Sequence, residues 1–307
     1  MFSFPVNIKK NGKKGSHEAQ CAIIRDMSHQ KLDEIGKEYI YLLYMNIFKK
    51  SLISVALCVT ALCCYAADVK PYVEADALPN ALNFYPAPPD TMSPQFMYDI
   101  SQYMWGKKMR QDSARAALAV AQAVETVEEM AKMFSEPFGM EISAKKTPAI
   151  MNVLERGVLT LRKVGSKAKR HYMRRRPYDR FNEPTLVPAE EERLRTNGSY
   201  PSGHTARAWA MALLLIEVNP AAQDALLKYA YEWGQSRVIA GFHWQSDVDA
   251  SKVLVSGAYP SLHTNETFMA DMRKAQAEFK KLKAAESKAA APKPAAGKTA
   301  APKAGKK

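Results

Sequence analysis

Cysteine is scarce in this 307-residue chain: there are four, Cys21, Cys58, Cys63 and Cys64, and none follows residue 64. A disulfide-stapled miniprotein is excluded, and a fold beyond that point must stand without cross-links. Strand-like alternation is missing, as are internal repeats and the glycine period of collagen. Only one long apolar run exists, residues 51–64. It falls short of the roughly 18 residues that a membrane-spanning helix needs. Positive charge is also scarce where a fold could use it. The formal charge is +13, but residues 281–307 hold eight lysines against one glutamate, residues 1–44 contribute +2 and residues 45–66 another +2, which leaves +2 for 67–280. A nucleic-acid-binding domain concentrates basic side chains on its folded surface, so that class is excluded. The roughly 215 residues between the two ends suffice for one domain with a real core.

Residue 45 reads as a second beginning. After Met45 come Lys49-Lys50, the apolar run and the small residues Ala66-Ala67 before Asp68. A short positive segment, an apolar run and a small-residue exit form the anatomy of a secretory leader. Residues 45–66 are therefore expected to be a signal peptide, with an uncleaved anchor as the alternative. Leu62, before Cys63, is too large for a lipoprotein signal. Residues 1–44 then form an unstructured or non-native extension, 67–283 the catalytic domain and 284–307 a disordered Ala/Lys/Pro tail. That tail is a solubility segment or a means of adhering to an anionic surface.

Between the ends the pattern is helical. Prolines punctuate an extended lead-in over 69–94. Val120, Val124 and Val127 predict a helix over about 112–133, and Ile150, Val153, Leu154, Val158 and Leu161 predict another. Further helices are expected from Ser202 through Ile216, from Pro220 to Gly234, and over 263–283. The fold class is all-α, in a single domain.

Three clusters carry chemistry: Lys169 with Arg176-Pro177; the string Gly198-Ser199-Tyr200-Pro201-Ser202-Gly203-His204-Thr205; and Ser236-Arg237 with His243 and Asp247. Lys169, Arg176 and Arg237 are permanent cations, and a helix opening at Ser202-Gly203 adds backbone N–H donors, the combination that a phosphate dianion wants. His243 and Asp247 are four apart, so a carboxylate can hold one ring nitrogen and leave the other free to attack phosphorus. His204 is available to protonate a leaving oxygen. The rest of the basic run, Lys167, Arg170, Arg174 and Arg175, reads as a solvated helix face. His171 and His263 read as structural.

In order, these clusters spell Lys-x6-Arg-Pro, Pro-Ser-Gly-His and Ser-Arg-x5-His-x3-Asp, separated by residues 178–200 and 205–235. This resembles the three-part signature of type-2 phosphatidic acid phosphatases, bacterial class A non-specific acid phosphatases and vanadium haloperoxidases. The string GSYPSGHT is similar to the class A acid phosphatases in particular, over roughly residues 85–282. The resemblance implies a helical bundle of the acid phosphatase/haloperoxidase type and a periplasmic or secreted enzyme without metal or other cofactor. Its substrates would be phosphomonoesters, nucleotides among them, and its assembly a homo-oligomer. It further implies His243 as nucleophile, Asp247 as its orienting carboxylate, His204 as acid and then base, and Lys169, Arg176, Ser202, Gly203 and Arg237 as phosphate ligands. Family members often carry cysteines near Leu186 and at Ala240, implied to pair, and both are absent here. The alternatives are an apyrase-like nucleoside di- or triphosphate hydrolase, a vanadium haloperoxidase and a non-catalytic phosphate-binding protein.

Overall fold

A computed structural model describes residues 69–290, and over that span every regular element is helical. The extension and the signal peptide expected from the sequence, and the part of the expected tail beyond residue 290, lie outside the described residues. The main helices are α1 (Pro94–Met109), α2 (Ser113–Ala121), α3 (Val127–Phe138) and α4 (Pro148–Leu161). Two short ones follow, α5 (Ser166–Tyr172) and α6 (Pro177–Phe181), then the single turn α7 (Glu191–Arg195). Four more complete the bundle: α8 (Gly203–Val218), α9 (Gln223–Ile239), α10 (Gln245–Ala258) and α11 (Glu266–Ala290). The lead-in is largely extended, interrupted by a 3-10 turn at Ala75–Ala77 and one helical turn at Ala81–Phe84.

Helix α8 forms the axis. Ala206, Ala208, Ala210, Met211, Ala212, Leu214 and Leu215 bury most of its circumference, as expected of a helix surrounded by others. It packs against α4, α9, α10 and α11. Helix α1 reaches α9 through Gly106, where a Cβ would lie 3.1 Å from the Val238 carbonyl oxygen and 3.2 Å from Ile239 Cα.

The helix expected over 112–133 is two helices. Thr126 Oγ1 accepts from Glu129 N (3.2 Å) while Glu129 Oε2 accepts from Thr126 N (3.3 Å), a reciprocal capping box that starts α3. Val120, which periodicity puts on one face with Val124 and Val127, is exposed, while those two pack against the core. At the other end, α11 runs to Ala290, past the tail boundary expected at 284. Ala and Lys are strong helix formers, so the helix propagates beyond Leu282, its last residue packed on the core. Where the resemblance would put a cross-link, Leu186 N donates to the Ala240 carbonyl at 3.1 Å, and Leu186 packs on the cluster of Tyr178, Leu194, Ala240 and Phe242.

Gly106→Val should push α1 off α9 and destabilise the protein by about 1–3 kcal/mol in urea unfolding. Gly257→Ala, whose Cβ would meet nothing nearer than 3.8 Å within α10, should instead stabilise it by about 0.5–1 kcal/mol.

Candidate active site

A cavity of about 570 Å³ opens beside the N-terminus of α8. Lys169, Arg176, Gly203, His204 and His243 all line it, although they come from four separate stretches of the chain. Ser202, Arg237 and Asp247 are buried residues outside this lining.

Each side chain has a local reason for its place. Lys169 lies in the last turn of α5, and Arg176 caps α6 immediately before Pro177, a favourable first-turn proline. Gly198 lets the following loop lie against the end of α5, since a Cβ there would sit 2.9 Å from Met173 Cα and 3.0 Å from the Lys169 carbonyl oxygen. That approach turns the Gly198 carbonyl inward, where it accepts from Lys169 Nζ (2.7 Å) and Arg176 Nη2 (3.3 Å). Arg176 also donates through Nε to Asn197 O (2.9 Å) and through Nη1 to Phe242 O (3.1 Å). Ser202 caps α8, its hydroxyl accepting from Thr205 N at 3.3 Å. The first N–H groups of a helix have no carbonyl partner within it, so the Gly203 end is suited to receive an anion.

The cations are costly as they stand. Arg237 is 1% exposed, and its Nε and Nη1 have no hydrogen-bond partner among the described residues. Burial and the neighbouring Arg176 push it down to about 9. Burial and the same neighbour push Lys169 down to about 7, and burial lowers Arg176 to about 10. An anion among these groups would remove both the repulsion and the unmet hydrogen bonds.

His243 and Asp247 meet at the start of α10. Asp247 Oδ2 accepts from Trp244 N (2.8 Å) and lies 3.3 Å from His243 Nδ1, so the ring carries its proton on Nδ1 and keeps a lone pair on Nε2. Nε2 is 3.2 Å from Arg176 Nη1, aimed at the cations. Burial drives His243 down to about 3, aided by Arg176 and Lys169 and opposed by Asp247. His204 is likewise lowered well below its ordinary value by burial, then by Arg237 and Arg207, and its Nε2 lies 3.3 Å from the Ala123 carbonyl.

Sequence reasoning missed the support behind Asp247. Arg174, read as part of a solvated face, has a side chain only 9% exposed; it donates to Asp247 Oδ1 (2.6 Å), to Ser246 Oγ (2.8 Å) and to buried Asp99 Oδ2 (2.7 Å). Ser246 N and Oγ complete the grip on Asp99 at 2.8 and 2.6 Å. Only the spacing of Arg174, two before Arg176, could have set it apart from the run. Arg175 on the same run is exposed, as expected, and His263 pairs with Glu217 far from the cavity. No group of three His, Cys, Asp or Glu side chains among the described residues is arranged to hold a metal.

Residues 156–259 match the PAP2 superfamily. The chain is 41% identical over 213 residues to a non-specific acid phosphatase of Providencia stuartii, covering 69% of this chain and 86% of that one. It is 38% identical over 215 residues to a non-specific acid phosphatase of Salmonella typhimurium, with 69% and 85% covered. An acid phosphatase of Zymomonas mobilis is 31% identical over 201 residues, with 66% and 76% covered.

Arg174→Met should leave Asp99 and Asp247 as uncompensated buried carboxylates and cost about 3–5 kcal/mol in chemical unfolding.

Proposed function

Because the chain belongs to the bacterial class A non-specific acid phosphatases of the PAP2 superfamily, we propose that it cleaves a broad range of phosphate monoesters, nucleotides included, through a phosphohistidine on His243. It is an acid phosphatase. The observation that carries the finer reading is the unmet hydrogen-bonding capacity of Arg237, buried close to Arg176 and His204. A dianionic phosphoryl group supplies the missing acceptors. Lys169, Arg176, Arg237 and the Ser202-Gly203 helix start then spread its charge, which is most of what phosphoryl transfer asks of a protein.

In the first step the Nε2 lone pair of His243 forms the N–P bond while the bond from phosphorus to the leaving oxygen breaks. The bound dianion offsets the burial and the Arg237 and Arg207 charges that lower His204 in the empty site, and the imidazolium so formed passes its proton to that oxygen. Asp247 holds the Nδ1 proton and balances the charge that develops on the His243 ring. In the second step His204, now neutral, takes a proton from water as the resulting hydroxide oxygen attacks phosphorus. The N–P bond breaks, inorganic phosphate forms and both rings return to their starting state. No metal takes part, so activity should persist in EDTA. Export with cleavage near Ala67 belongs to the same reading; it rests on the leader pattern of 45–66, and intact mass of exported material tests it.

His243→Ala should lose at least roughly 10³-fold in kcat, because nothing else at that position can form the covalent intermediate. Rapid quenching of the wild type should trap acid-labile phosphate on His243, and phosphate recovered on any other residue refutes the assignment.

The pH dependence follows from Lys169. Burial and the neighbouring Arg176 bring its ammonium down to about 7 in the free enzyme, so half of its charge is already lost at that pH, and loss of that charge weakens anion binding. kcat/KM should therefore fall as pH rises through about 7. On the acid side it should fall again as the substrate loses its second charge, near pH 6 for a phosphomonoester. Lys169→Met should lower kcat/KM and abolish the alkaline limb; an unchanged limb in that variant would assign it elsewhere.

A further inference from the structure

The cations of the cavity outnumber what one phosphoryl group can neutralise. Outside the inner cradle its lining carries Arg162, Lys163, Lys167, Arg170, Arg193 and Arg207, against the carboxylates of Asp76 and Glu125. Lys167 pairs with Asp76 at 2.9 Å. Arg162, Lys163 and Arg170 pair with no carboxylate among the described residues.

Glu125 sits in the break between α2 and α3, and its carboxylate is already bound as a ligand would be. Arg207 Nη2 donates to Oε2 at 2.9 Å, Arg193 Nη2 donates to Oε1 at 2.9 Å, and Arg207 Nη1 fixes the Glu125 backbone carbonyl at 2.6 Å. The Arg207 side chain is 10% exposed. Glu125 Oε1 lies 3.6 Å from His204 Nε2. Burial and the nearby Arg207 lower the Arg162 guanidinium, and Glu125 pulls it back. An anion therefore already occupies a guanidinium-lined position beside the residue assigned to protonate the leaving group.

We propose that Arg207, Arg193 and Arg162 form a second anion subsite on the leaving-group side of the cavity, with the Glu125 carboxylate as its internal occupant. Substrates whose leaving group is itself anionic displace Glu125 and bind across both positions. The chemistry recognised is a carboxylate or phosphate a few bonds beyond the bridging oxygen, and arginine's planar fork suits both. A neutral leaving group leaves Glu125 in place and gains nothing from these arginines. The inference rests on the phosphatase reading and on the leaving-group role of His204.

The test compares kcat/KM for 2-phosphoglycolate and for pyrophosphate, each against ethyl phosphate. In the wild type, the ratio of 2-phosphoglycolate to ethyl phosphate should be at least about tenfold, while pyrophosphate, whose leaving group is intrinsically better, is read only through the change of its ratio in the variants. Arg207→Met and Arg162→Met should each cut that ratio by about tenfold, and added salt should reduce it. Glu125→Gln removes the internal competitor and should raise the ratio about threefold or more. Opposite shifts in the Glu125 and Arg207 variants are the signature, because a purely structural ion pair predicts the same shift in both. A 2-phosphoglycolate ratio near one in the wild type, or a Glu125→Gln variant that lowers the ratio as Arg207→Met does, would overturn the subsite. If Arg207→Met fails to fold, Arg162→Met, at the exposed rim, decides the same point. Failure of the underlying reading is separate: the wild type would then not hydrolyse ethyl phosphate, or His243→Ala would hydrolyse it normally.

Discussion

Asp247 is a buried carboxylate beside a cluster of cations, and its hydrogen bonds go to other partners. Arg174 holds one of its oxygens, while the other receives the Trp244 N–H and faces His243 Nδ1. Lys169 and Arg176 are left to bond with carbonyls of Gly198, Asn197 and Phe242, which satisfy N–H groups without cancelling charge. Arg237 lacks even that for two of its nitrogens. A low-dielectric site whose positive charge exceeds its counter-charge is unfavourable when empty and favours an anion when filled. The fold carries this cost because the bundle around α8 is tightly packed.

The ion-pair chain from Asp99 through Arg174 to Asp247 also explains how distant segments are held together. Asp99 lies on α1, Arg174 follows α5, and Asp247 lies in the first turn of α10. Trp244 adds apolar weight at the same junction by packing against Phe96 and Tyr103 of α1 and by donating from Nε1 to the Arg175 carbonyl at 2.9 Å. Because Ser202 N donates to the Asp247 carbonyl at 3.0 Å, the start of α8 is tied to the start of α10. Both helix N-termini are thereby held at the same place in the bundle.

The break between α2 and α3 has chemical weight of its own. A continuous helix through residue 124 would have no reason to bring the Ala123 carbonyl and the Glu125 carboxylate to His204. The capping box at Thr126 and Glu129 ends that possibility locally, and Arg207 on α8 anchors the resulting loop. Periodicity alone pointed the other way, since Val120, Val124 and Val127 keep helical spacing across the break.

Much was legible in the sequence where the information is local. Helical spacing located α4, α8 and most of α9 and α11, because an amphipathic pattern states which face must be covered without saying by what. The motifs around Lys169, Pro201 and His243 picked out cations and histidines that the fold gathers near the starts of α8 and α10, because side-chain type and short spacing mark groups able to act together. Arg174 was misread for the same reason: in a run of lysines and arginines, composition cannot tell which guanidinium turns inward, and its partners Asp99 and Asp247 lie 75 and 73 residues away. Glu125 and Arg207 were likewise invisible as a pair, being 82 residues apart. By itself the sequence determined the helical class and the chemical parts. Only the tertiary structure decided which charges are buried, which are paired and which are left open, because desolvation and ion pairing depend on distances in space.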